Sequence, residues 1–166
     1  MIKQLTITFA LSLLLLSGMA AYAASASSNI DADIVPAIAI SNTVSLQFGM
    51  IASSALAGSV TVTTAGVRSA SGGVTLANGT TATAASFAVT GADSNTYAIT
   101  LPADGTTTIT GAGDPMGVNF VSNPLTTGTL SGAGAQTLLV GGTLSVGASQ
   151  AAGAYSGTFD ATVAYN

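Results

Sequence analysis

The sequence predicts an all-β protein built as a sandwich or barrel of short strands. Three observations carry that expectation. Apolar and polar residues alternate along most of the chain, β-branched residues fill the alternating runs, and Gly, Asn, Asp and Pro punctuate them at short intervals. Beyond residue 23 no stretch shows a convincing helical period. Several short strands with regular turn signals imply a sandwich or a barrel. No strict repeat argues for a solenoid.

Residues 1–23 read as a secretory signal peptide. Lys3 supplies the positive start, Ile7 to Leu16 form the apolar segment, and Ala21-Tyr22-Ala23 is a small-residue site that places cleavage between Ala23 and Ala24. The apolar run is too short to span a bilayer comfortably. No later segment is long and apolar enough to span one, so the mature chain is expected to have no membrane span and to be soluble outside the cytoplasm. Residues 24–166 are then expected to form a single domain.

The first alternating run is Ile30 to Ile40. Ile30, Ala32, Ile34, Pro36, Ile38 and Ile40 share one face, with Asp31 and Asp33 on the other. Pro36 cannot donate to a ladder, so this run is an edge strand or two pieces broken there. Strands are expected next at 44–48 (VSLQF) and 59–64 (SVTVTT), followed by a glycine-rich corner at Gly72-Gly73 and a turn at Asn78-Gly79. Runs 86–90 (SFAVT) and 96–101 (TYAITL) read as a hairpin. Runs 106–110 and 118–121 flank another loop. Within 137–146 (TLLVGGTLSV), Gly141-Gly142 suggests a bulge or kink between two strand halves. The last run is Ala154 to Asn166, with Tyr155, Gly157, Phe159, Ala161, Val163 and Tyr165 on one face.

Composition excludes several classes of function. About half the residues are apolar (48%) and few are charged (5%), which argues against disorder. Ala supplies much of the apolar fraction, so the core is expected to be thin and to rest on Val, Ile, Leu, Phe and Tyr. Arg68 is the only side-chain cation after the leader, so there is no basic patch for nucleic acid or anionic lipid. The chain has no Cys, His, Glu or Trp. That removes disulfides, thiolate metal sites and the usual general bases, and the expectation is a protein that is not an enzyme and carries no cofactor. Asp93, Asp104 and Asp114 lie beside turn residues and read as turn formers rather than metal ligands. Two alternating carboxylates, Asp31 and Asp33, do not make a calcium site, which takes about six to eight oxygens.

The end of the chain carries a more specific pattern. Tyr165 is the penultimate residue, Gly153 stands about fourteen residues from the end, and alternating apolar residues join them. This ending resembles that of chaperone–usher pilins. The resemblance implies an immunoglobulin-like antiparallel sandwich that lacks its last strand. A periplasmic chaperone lends one, and the N-terminal extension of the next subunit later replaces it. Residues 24–34 would be that donor extension, with Ile30, Ala32 and Ile34 entering the groove. Gly153, Tyr155, Gly157, Phe159, Val163 and Tyr165 would form the terminal strand and border the acceptor groove. Strand addition needs such alternation because only one strand face enters. The chain departs from many pilins in having no cysteine pair.

A second resemblance covers nearly the whole mature chain. The ordered segments Leu46-Gln47-Phe48-Gly49, Gly66-Val67-Arg68-Ser69, Ala85 to Gly91, Tyr97 to Pro102, Val140 to Leu144 and Gly153 to Phe159 are similar to a family of small secreted bacterial domains catalogued as domain of unknown function four-four-zero-two. It implies a secreted β-sandwich and no particular activity. Together these readings give the expectation of an exported fibre subunit at the cell surface or outside the cell, with its own copies, a chaperone and an usher as partners. A monomeric secreted or periplasmic binding module is the main alternative. An amyloid-like matrix protein, suggested by uncharged Val, Thr, Ala and Gly, is a third.

Overall fold

The computed structural model describes residues 23–166. The leader assigned to residues 1–23 lies, apart from Ala23, outside them. The chain divides into two compact units at Asp33/Ile34. Of the first, residues 23–33 are described; they are exposed and have no regular secondary structure.

The second unit is all-β and antiparallel. Its strands are β1 (Ala39–Val44), β2 (Ile51–Val62), β3 (Arg68–Leu76), β4 (Ala85–Thr90), β5 (Thr96–Thr100), β6 (Thr107–Gly111), β7 (Met116–Asn123), β8 (Thr127–Thr129), β9 (Ala135–Val146), β10 (Tyr155–Ser156) and β11 (Thr162–Tyr165). Eight of them form one sheet in the order β1-β4-β9-β7-β6-β10, with β2 joined to β9 and β3 to β2. The other three form a small sheet in the order β11-β5-β8. The architecture is that of a β-sandwich with one large and one small layer.

Strand β9 organises the large sheet. One of its edges pairs wholly with β7, from Val118↔Leu144 to Asn123↔Leu139. The other edge serves two strands in succession: β4 pairs along Ala135–Val140, and β2 along Gly142–Val146. Gly141 lies at the handover. A Cβ there would come within 2.4 Å of the Val62 carbonyl oxygen, so glycine is what lets β2 turn away from β9 at this point. The expected break at Gly141-Gly142 is therefore a change of partner along one continuous strand.

Apolar side chains alternate on β9 as period two requires, and they serve two cores. Leu138 and Val140 join Ala85, Phe87 and Val89 of β4, Tyr97 and Ile99 of β5, and Leu130 in one buried cluster between the two sheets. Leu144 and Val146 join Val60, Val74, Met116 and Val118 in a second. The small sheet covers only the first half of this apolar face.

Several expectations change. Residues 30–38 carry no ladder, and the first strand starts at Ala39, beyond Pro36. Strands β4 and β5 are not a hairpin: they lie in different sheets, and Phe87, Val89, Tyr97 and Ile99 face one another across the core instead of pairing edge to edge. Gly72-Gly73 is no corner. It sits inside β3 at a bulge, where Ser53↔Val74 and Gly58↔Gly72 leave Ser54–Ala57 opposite Gly73. Of the run 44–48, Val44 ends β1 and the rest forms only an isolated bridge, Gln47↔Thr83. The run 154–166 splits into β10 and β11, and residues 157–161 belong to no strand.

Candidate functional site

The last two differences fall on either side of one feature. Residues 45–50 and 157–161 alternate like strands yet are not laid into either sheet. Residues 45–50 of the first and 157–159 of the second line an apolar groove of about 1130 Å3 over the half of the large sheet that the small sheet leaves uncovered. Ligand pockets typically hold about 300–1,000 Å3, so this groove is large for a domain of this size.

Its floor comes from β6, β7 and β9: Ile109, Met116, Val118, Phe120, Leu144 and Val146. Met116, Val118, Leu144 and Val146 are nearly solvent-free, at 6%, 2%, 1% and 4% exposure. The half-buried apolar surface comes from Phe48, Phe120 and Phe159 together with Leu46, Ile51 and Ile109. Phe159 stacks on Phe120 with ring centroids 4.3 Å apart and meets Phe87 edge-on at 6.0 Å. Gly142 points the same way as Leu144; a Cβ on it would come within 3.1 Å of Leu46 and 3.4 Å of Phe48. Its bare backbone makes room for the two side chains of the first wall.

Arg68 anchors that wall. Its guanidinium donates to the carbonyls of Phe48 (3.0 Å), Met50 (3.0 Å) and Ala77 (3.1 Å). Between the first two, Gly49 adopts φ +73°, and a Cβ there would lie 2.4 Å from the Arg68 nitrogen. The planar fork of arginine suits three carbonyls at fixed positions better than a lysine point charge would. Sequence reasoning noted Arg68 as a lone cation and missed this role. The flanking glycines and the LQFG segment were the available signals.

The wall at the other side is tied at both ends. Tyr155 pairs with Gly111 through β10, and its hydroxyl donates to the Ala151 carbonyl (2.8 Å) and accepts from the Gln150 amide (2.9 Å). A Cβ on Gly157 would approach the Thr108 carbonyl at 2.8 Å. Beyond the groove, β11 pairs with β5 from Thr162↔Thr100 to Tyr165↔Tyr97. The Tyr165 hydroxyl donates to the Pro36 carbonyl (2.9 Å) and accepts from the Ala92 amide (2.6 Å).

Of the residues expected at the groove, Gly153, Tyr155, Gly157 and Phe159 line it, whereas Val163 and Tyr165 pack against the first core beside it. Ile30 and Ile34 are 96% and 97% exposed, and Ala32 is exposed between them. All six aspartates are exposed. Among the described residues no three His, Cys, Asp or Glu side chains gather as metal ligands, and no helix is long and apolar enough to cross a membrane. Burial raises the Tyr97 phenol above the usual tyrosine range; its hydroxyl donates to the Gln136 amide oxygen at 2.7 Å.

A family profile described as Domain of unknown function (DUF4402) matches residues 38–165. No curated protein and no solved structure matches the chain.

Proposed function

We propose a function from the premise that the chain belongs to the family described as Domain of unknown function (DUF4402): it is a non-catalytic, exported structural subunit of a bacterial surface or extracellular fibre, assembled by strand addition. The supporting observation is the groove, whose two walls have strand periodicity and are not laid into either sheet. An extended segment between them would gain main-chain partners and cover the half-buried faces of Phe48, Phe120 and Phe159. The fold is then an immunoglobulin-like sandwich short of one strand.

The occupant is the N-terminal extension of a second copy, with Ile30, Ala32 and Ile34 facing inward and Asp31 and Asp33 outward. These three residues have the period a strand in a groove needs, and the two isoleucines are almost fully exposed. A donor at one place and an acceptor at another make a head-to-tail contact, which grows into an open filament when its rotation does not close a ring. A chaperone that lends a strand to the groove before assembly, and an usher, fit the same chemistry. An exported location follows from the leader pattern of residues 1–23.

Electron microscopy and size-exclusion chromatography of the protein recovered from its native host test this reading. Thin regular fibres of folded subunits are the expected result. A homogeneous, cooperatively folding monomer would overturn it and leave the groove as a site for a small apolar ligand.

A further inference from the structure

We infer that the groove grips its occupant on one side through the main chain of a single short stretch, Ser45–Phe48, and that Leu46 fixes the register: its amide and carbonyl are the pair that a strand of a second copy takes up. This rests on the strand-addition reading and deepens it by naming the edge that is used.

The parity of one bridge assigns the free groups. In an extended chain the amide and carbonyl of one residue point to one side and those of the next residue to the other. Gln47 gives both to Thr83: its amide donates to the Thr83 carbonyl (2.9 Å) and its carbonyl accepts from the Thr83 amide (3.0 Å). Ser45 faces the same way, its carbonyl accepting from the Thr83 hydroxyl (2.8 Å). Leu46 therefore turns its main chain to the opposite side. Its side chain lies over Gly142, whose added Cβ would come within 3.1 Å of it. Residues 45–50 line the groove and Thr83 does not, so the side away from Thr83 is the groove side. Among the described residues, no hydrogen bond reaches the Leu46 amide, the Leu46 carbonyl or the Phe48 amide. Unpaired main-chain groups on the edge of an apolar groove suit an occupant with amides and carbonyls of its own better than a hydrocarbon.

The free stretch is short at both ends. Val44 already pairs with Ser86. The Phe48 carbonyl is taken by the Arg68 guanidinium (3.0 Å), and Gly49 at φ +73° turns the chain out of the strand conformation. Leu46 alone in this stretch keeps both groups free, so one residue of the added strand has a doubly bonded place opposite it. A slip by one residue would turn the apolar face of that strand out of the groove.

Hydrogen exchange read residue by residue on the full exported chain tests this. The Gln47 amide should be protected in dilute subunit and in fibres alike. The Leu46 amide should exchange fast in the subunit and slow by about a hundredfold or more in fibres. Leu46→Pro deletes that amide, and proline is tolerated on an edge whose N–H has no partner. Compared with Leu46→Ala, which cancels the lost side chain, it should raise the concentration needed to sustain fibres by about tenfold or more and leave the Tm of dilute subunit the same. Equal concentrations for the two variants overturn the role of Leu46. So does a Leu46 amide that stays fast in fibres while residues 157–161 become protected, a result that leaves strand addition standing. Fast exchange at both places in fibres overturns strand addition and the role of Leu46 with it. The exchange measurement needs no variant, so it decides the matter even where Leu46→Pro fails to fold.

Discussion

Replacing Ile30 and Ile34 together by alanine separates a donor segment from an ordinary part of the fold. Both side chains are almost fully exposed in the subunit. Their truncation should therefore change its unfolding free energy by no more than about 0.5 kcal/mol, or its Tm by about 2 °C. In a fibre assembled by the proposed strand addition the same side chains would be buried. Each substitution removes three carbons, worth about 0.8 kcal/mol apiece, so the pair removes about 5 kcal/mol per contact. At about 1.4 kcal/mol per tenfold, the concentration needed to sustain fibres should rise between about 10^3- and 10^4-fold. Sedimentation of fibres against subunit concentration reads the second quantity, and thermal unfolding of dilute subunit reads the first. A large fall in Tm would mean that the isoleucines pack within their own chain. An unchanged critical concentration would mean that they are not the donor. Either result refutes the reasoning.

Three further outcomes follow from the geometry. Arg68→Met leaves three carbonyls without their charged donor and should lower stability by about 2–4 kcal/mol after allowance for partial exposure; urea unfolding measures it, and Arg68→Lys should recover only part. Gly141→Ala drives a Cβ into the backbone at Val62 and Thr63, and the same assay should show a loss of about 1–3 kcal/mol. Because burial raises the Tyr97 phenol, the unfolded chain loses that proton first as pH climbs through the ordinary tyrosine value. The stability it contributes is fully present below about pH 9 and is lost above about pH 10; Tyr97→Phe should flatten this alkaline limb in a pH series of urea melts.

Much of the fold is legible in the sequence because period two reports faces directly. Phe87 and Val89, Tyr97 and Ile99, and Leu138 and Val140 alternate as core residues and are core residues. Pairings are not legible in the same way. Nothing in SFAVT and TYAITL tells whether the two runs lie edge to edge or face to face, since either arrangement buries the same side chains. The short strand β8 (TGT) has too few residues to show a period. The groove was half legible. Alternation at 44–48 and 157–161 correctly identifies inward side chains such as Leu46, Phe48 and Phe159. The absence of a partner strand beside them is a property of the whole sheet order. Arg68 was seen as a charge but not as an anchor, because its acceptors are backbone carbonyls and leave no mark in side-chain composition.

Hydrogen exchange at residues 157–161, compared between dilute subunit and assembled protein, tests strand addition most directly. These residues belong to no strand in the single chain, so their amides should exchange quickly there and become strongly protected on assembly, together with amides across Ile30–Ile34. Fast exchange at both segments in the assembled protein would contradict the account, because subunits joined in any other way would leave the groove empty.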